Sequence, residues 1–206
     1  MNYRIKALRY FISTLAVSVA CSLVGFAQAA SGNPPAQGTQ VQVTKEMPKD
    51  RAAILVAEWS RAKLGVQEYI EAMPEDGIGF KPTPAIRSFA EQMLHLAGGN
   101  YMFGSVAAGK ENPWDFTKGK DPEKVDDFKK SKAALLKFVM ESYDFAINAV
   151  KGLTSSQLDE TVQFFSMKMP RHLVLTKGIE HQAHHRGQTT IYLRLKGVTP
   201  PSERLF

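Results

Sequence analysis

The residues best able to do chemistry are gathered in one stretch, Glu180-His181-Gln182-Ala183-His184-His185-Arg186-Gly187-Gln188, which holds three of the five histidines. The surrounding pattern is helical, and at about 100° per residue His181, His185, Gln188 and Tyr192 fall within a narrow arc. Val174 and Gly178 lie on the same arc, so the stripe is expected to face the interior. Two imidazoles four residues apart on an inward face can point ring nitrogens at one centre, as a divalent metal requires. The same pair could instead cap a buried carbonyl. A metal site with an open position wants three nitrogen or oxygen ligands, and His95, on another long helical pattern, is the natural third.

His184, three residues after His181, is turned about 60° away from the His185 line. It either replaces His185 as a ligand, or orients a ligand or packs against a neighbouring helix. His172 is about two and a half turns from His181, too far to share an ion, and reads as an exposed histidine. The zinc-protease pattern H-E-x-x-H fails, because Gln182 stands where its glutamate would act as general base. Gln188 and Tyr192 are candidates for orienting a substrate at the open face, or else for an interhelical hydrogen bond. No general base stands out. A fourth protein ligand, such as Asn100 or Glu91, would close the site and make the metal structural.

These residues need long helices to hold them, and the chain supplies four. Asp50 is a plausible N-cap for a helix in which Leu55, Trp59, Ala62, Val66, Tyr69 and Met73 recur in steps of three and four, ending at Pro74. A second helix carries Phe89, Met93, Leu96, Phe103 and Ala107. It starts either at Thr83-Pro84 or at Ser88, whose capping box is completed by Glu91. Gly98 and Gly99, just after His95, either admit a close neighbour or mark a bend. Gly109 to Gly119, with Trp114 and Phe116, is a candidate lid. Asp121-Pro122 opens a short charged helix, or the first turns of a longer one, through Lys130, and from Ser131 a third long helix runs over Leu136, Val139, Tyr143, Ala146 and Val150 to Gly152. Leu153 to Met169 reads as a connection with a short helical turn. Pro170 opens the fourth helix, which Gly197 and Pro200-Pro201 end. No alternating run of β-branched residues calls for a sheet, so the fold is expected to be an all-α four-helix bundle with its site between facing helices.

The bundle does not begin at Met1. Arg4, Lys6 and Arg9 precede an apolar or small run from Phe11 to Phe26, and Ala27-Gln28-Ala29 has the small-x-small pattern of a signal-peptidase site. Residues 1–29 therefore read as a cleaved signal peptide, 30–49 as a flexible linker rich in Ser, Gly, Pro, Gln and Thr, and 50–206 as the bundle. The run of about 16 residues is short of the roughly 20 a spanning helix needs, so no stable membrane anchor is expected. Cys21 lacks the large aliphatic residue that a lipoprotein signal places three positions before its cysteine. Cleavage after Ala29 lowers the formal charge from +6 to +3 and removes the one cysteine. That leaves no thiolate ligand, catalytic thiol or disulfide, and no basic excess suited to nucleic acid. The expected location is periplasmic or secreted.

The string His-x-x-His-His-Arg-Gly-Gln at His181 to Gln188, followed by Tyr192-Leu193-Arg194, Gly197 and Pro200-Pro201, resembles the end of the DinB/YfiT-like family. Ser88-Phe89-Ala90-Glu91-Gln92, ahead of His95, resembles its second helix. The likeness runs from about Asp50 to Pro201. It implies an up-down four-helix bundle, often a homodimer, with a divalent metal on His95, His181 and His185. Zinc, nickel and iron all suit such ligands. Family members with assigned activities use the metal to activate small thiols, in transfer or isomerisation, and some relatives look like hydrolases. This chain departs in carrying an export signal, whereas thiol cofactors are chiefly cytosolic. The expected function is an exported metal-dependent enzyme that activates a thiol or water toward a small-molecule substrate, transferase- or hydrolase-like. The alternative is a non-catalytic metal-binding or dimerisation scaffold.

Overall fold

Local chemistry sets the helix ends. In the computed structural model, which describes residues 48–205, the side chain of Asp50 accepts a hydrogen bond from the Ala53 amide and starts helix α1, Arg51–Ala72. Ser88 and Glu91 form the capping box that starts α2, Phe89–Ala108, which settles the choice of start in favour of Ser88. Gly109, at φ 64°, closes α2 in the left-handed conformation that glycine adopts without penalty. Ser131 caps α3, Lys132–Lys151, and Thr154 with Gln157 caps the short α4, Ser155–Asp159. The last helix, α5, spans Arg171–Leu195, with Gly197 at φ 75° just beyond it. The expected signal peptide, Cys21 and linker residues 30–47 lie outside the described residues. Among the described residues, no helix is long and apolar enough to cross a membrane.

Two expectations about the connections need correcting. The segment before α5 is not irregular: β1, Thr161–Phe164, and β2, Met167–Pro170, form an antiparallel hairpin with Thr161 opposite Pro170 and Phe164 opposite Met167. Strands of four residues are too short for alternation to be read, and the turn, Phe165-Ser166, lacks the usual Asn or Gly. An isolated hairpin is marginal in water, and this one is held by Val162, Phe164 and Met169 packing on the core. The segment opened by Asp121-Pro122 is likewise two 3₁₀ turns, Pro122–Lys124 and Asp126–Lys129, rather than a helix.

The four long helices form an all-α bundle in which α1 and α2 each pack against both α3 and α5. At its centre Trp59 is fully buried and meets Tyr143 edge to face, with ring centroids 6.2 Å apart. A Cβ added at Gly178 would lie 2.8 Å from the Trp59 ring, so α5 approaches α1 only because that position has no side chain. A buried polar relay then fixes α5 against α2 and α3. Gln182 Nε2 donates to Asn100 Oδ1 at 2.7 Å, Asn100 Nδ2 donates to Ser142 Oγ at 3.0 Å, and Ser142 Oγ donates to the Val139 carbonyl at 2.6 Å. The relay and Gly178 together set the height and rotation of α5, and so the direction of its histidines.

Candidate metal centre

His95 projects from α2, and His181 and His185 from α5. One nitrogen of each lies within 4.8 Å of the other two. The ring centroids are 5.3 Å apart for His95 and His181, 4.6 Å for His95 and His185, and 4.5 Å for His181 and His185. Gly99, one turn beyond His95, makes room for this cluster. A Cβ there would lie 2.5 Å from His181 Cε1 and 2.7 Å from its Nδ1. Of the two readings of Gly98-Gly99, close approach is the right one at Gly99, and α2 continues through both residues.

The rings are held from behind. His185 Nδ1 lies 2.9 Å from Gln92 Oε1, an acceptor, so the proton belongs on Nδ1 and the Nε2 lone pair is free. His95 Nδ1 lies 2.8 Å from Glu123 Oε1, which leaves His95 Nε2 free by the same logic. A carboxylate or amide behind a histidine is the usual support for a ligating imidazole. His181 Nδ1 is buried with no hydrogen-bond partner. Burial, with His95, His184 and Arg87 nearby, depresses the His181 pKa to about 4, and burial with His181 and His95 nearby depresses His185 to about 3. Both imidazoles are therefore neutral at pH 7. Neutral rings, lone pairs held inward and a buried nitrogen without a partner are a donor set that fits a divalent ion.

Glu123 sits in the turn Pro122–Lys124 and was not singled out in the sequence. Its carboxylate also accepts from Arg87, Nε to Oε2 at 2.6 Å and Nη2 to Oε1 at 3.3 Å. Burial by itself would raise its pKa, but the hydrogen bonds from His95 and Arg87 outweigh it and hold the carboxyl at about 2. Nothing in the local pattern separates Glu123 from Asp126 and Asp127 next to it; only the fold back toward α2 does. Gln92, also missed, was more accessible to reasoning, because it lies three residues before His95 on one face of α2.

The remaining candidates stand in a network outside the trio. Gln92 Nε2 donates to Gln188 Oε1 at 2.7 Å, and Gln188 Nε2 lies 2.7 Å from His184 Nε2, so the hydrogen bonds run His185, Gln92, Gln188, His184 in one consistent direction. Tyr192 is buried, and its hydroxyl donates to the Arg87 carbonyl at 2.8 Å. The polar atoms of Gln188 and Tyr192 are thus engaged in interhelical hydrogen bonds. His184 is exposed on α5, and His172 lies 3.8 Å from Asp159 near the start of that helix. Asn100 belongs to the polar relay, while Glu91 accepts from the Ser88 amide at 2.7 Å and pairs with Lys81. Neither closes the site.

The pattern of the DinB family matches residues 47–204, which takes in every long helix and all three clustered histidines. The chain belongs to the DinB family. It is similar to the uncharacterized protein YrdA of Bacillus subtilis (strain 168), 41% identical over 69 residues, which are 31% of this chain and 41% of YrdA. The chain thus spans less than half the length of that relative. It is also similar to the uncharacterized protein YjoA of the same organism, 26% identical over 137 residues, covering 64% of this chain and 82% of YjoA. The fold is shared with a DinB-like protein of Bacillus cereus ATCC 10987, at TM-score 0.63 and 19% identity over 73% of this chain and 95% of that one. It is shared too with the DinB-like YjoA structure, at TM-score 0.55 and 22% identity over 74% and 95%.

In this DinB protein the histidine cluster opens onto a chamber of about 940 Å³, with His95 and His181 among its lining. Trp114 and Phe116, from the segment expected to form a lid, line it together with Phe164, Phe165 and Met167 of the hairpin. Phe103 of α2 continues the apolar wall down to His181, at a ring-centroid distance of 5.6 Å.

Proposed function

We propose that this DinB protein is a metal-dependent enzyme in which His95, His181 and His185 hold a divalent ion facing the chamber. The observation that carries this reading is the open face of the histidine cluster. Three imidazoles converge, the two residues available to close the site are engaged elsewhere, and a small-molecule-sized chamber adjoins. A divalent ion bound there supplies Lewis acidity and lowers the pKa of a coordinated thiol or water. Gln92 and Glu123 keep two of the rings in the tautomer and orientation that present lone pairs inward. Glu123 is too weak a base at neutral pH to take a proton from the nucleophile, and His184 Nε2 already accepts from Gln188. Zinc, nickel and iron all suit the donor set, and the reaction is transferase- or hydrolase-like according to whether thiol or water is the nucleophile.

The test is metal content of the protein purified without a histidine tag, beside His95→Ala, His181→Ala and His185→Ala. The expected result is about one ion per chain in the parent and little in each variant. A parent that takes up neither zinc nor nickel would refute the reading and leave a helical scaffold. Export and self-association belong to the same proposal. The pattern of residues 1–29 supports export, and a purified chain beginning at Ala30 is the expected result, with retained Met1 the contrary one. Exposed Leu64 on α1 and Ile191 and Leu195 on neighbouring α5 support a homodimer, which sedimentation would detect or exclude.

A further inference from the structure

We infer that the chamber takes an uncharged ligand with a flat, aromatic or similarly apolar body, admitted past Phe116 and Phe165. This deepens the reading of the histidine cluster as the reactive end of the chamber. An aromatic path leads from the rim to that end. Phe165 meets Phe164 at 4.7 Å between centroids, Phe164 meets Phe103 at 5.2 Å, and Phe103 meets His181 at 5.6 Å. Trp114 and Met102 line the chamber as well. The cations among the described lining residues are already neutralised, Arg87 by Glu123 at 2.6 Å and Lys177 by Glu180 at 2.7 Å. In the metal-free chamber a ligand bearing carboxylates would have to break one of these pairs and desolvate its own charges, whereas an uncharged ring buries apolar surface at no such penalty.

The rim itself carries the second observation. Phe116, Phe165 and Met167 are 58%, 68% and 61% exposed, an unusual gathering of large apolar side chains at one opening. Phe165 also has φ 50°, as the first residue of a two-residue hairpin turn, a position that favours glycine because a Cβ is crowded there. A phenylalanine that is strained in its backbone and whose ring is mostly unburied gains little from the fold beyond its edge contact with Phe164. Contact with what enters the chamber explains both features, and residues held in such conformations do gather at ligand sites.

The experiment uses metal-free protein and a neutral fluorescent probe, N-phenylnaphthylamine, against its charged analogue anilinonaphthalene sulfonate. The expected result is a Kd on the order of 10 μM for the neutral probe and binding at least about tenfold weaker for the sulfonate. Phe165→Gly and Phe116→Ser should each weaken the neutral probe on the order of tenfold. Phe165→Gly relieves the backbone, so its Tm should stay level or rise by about 2 °C, which separates lost contact from lost folding. Neutral-probe binding weaker than about 1 mM, or a preference for the sulfonate, overturns the inference. So does unchanged probe binding in variants that instead dissociate a dimer, because the rim would then be a protein interface. Adding zinc and comparing octyl with acetyl hydroxamate tests the other reading separately. Probe binding without tightening of either hydroxamate by zinc upholds the chamber and refutes the metal.

Discussion

Gly99→Ala is the sharpest test of how the centre is built. The added Cβ would lie 2.5 Å from His181 Cε1, and ordinary carbon contacts begin near 3.5 Å, so the imidazole must withdraw by roughly 1 Å. Metal–nitrogen distances tolerate about 0.2 Å, so a shift of that size removes one of three ligands. Losing a ligand should weaken metal binding by at least about 100-fold, near 2.8 kcal/mol. The same substitution favours the helix by about 1 kcal/mol, so the metal-free protein should melt within about 3 °C of the parent. Gly98→Ala is the matched control. Its Cβ would meet Pro122 at 3.7 Å and 3.8 Å, ordinary contact, so it gains helix stability and keeps metal affinity. The assay is zinc titration of the two variants and the parent against a competing chelator, with melting curves of the metal-free forms. Metal affinity in Gly99→Ala within threefold of the parent would refute the argument that His181 is a ligand seated over bare backbone.

Gln92→Leu and Glu123→Gln remove the groups behind His185 and His95, and each should lower metal affinity about 10- to 100-fold while leaving a folded bundle. Equal affinity in either, by the same titration, would mean that the ring needs no such support. The metal-free protein should lose stability on acidification. His181 and His185 have folded pKa values of about 4 and 3, below the ordinary histidine value of 6.5, so the unfolded chain binds protons that the folded chain refuses. Stability is full above about pH 6.5 and falls as the pH drops toward 4 and then 3. A plot of Tm against pH should be shallower for His181→Asn and His185→Gln, and an unchanged slope would contradict the assigned burial. Gly178→Ala should destabilise despite its helix propensity, because the new Cβ meets Trp59 at 2.8 Å and Phe103 at 3.1 Å. A Tm at or above the parent's would show that α5 has freedom to move.

What could be read from the sequence is what helical periodicity and local caps encode. Asp50, the Ser88 and Glu91 box, Ser131 and Gly197 mark their boundaries by side-chain and backbone chemistry within a few residues. The histidine trio could be anticipated because two of its members are four apart on a periodic helix and the third lies on another helix. Glu123 could not, because its partnership with His95 depends on how residues 109–131 turn back on α2, and no period governs that path. The hairpin escaped for a related reason. Its strands are four residues each, and a phenylalanine occupies the turn position that normally announces itself with glycine. The features that break local rules are thus the ones lining the chamber, as expected where local preference gives way to a site.

One segment joins the chamber to the centre. Between α2 and α3, Trp114 and Phe116 line the chamber, and eight residues after Trp114's neighbour Asp115 the chain delivers Glu123 to His95. Asp121 helps place it, accepting from the Glu123 amide at 3.0 Å, and Trp114 anchors the other end by packing edge-on against Phe138 of α3 at 5.0 Å. The same segment that walls the chamber with Trp114 and Phe116 thus carries the carboxylate that orients His95. Were the proposed ligand and the proposed metal both to favour this arrangement of the segment, each would raise the other's affinity by the same factor. The carboxylate behind His95 thereby does more than hold a ring. It sits on a segment that touches both the chamber and a histidine of the cluster.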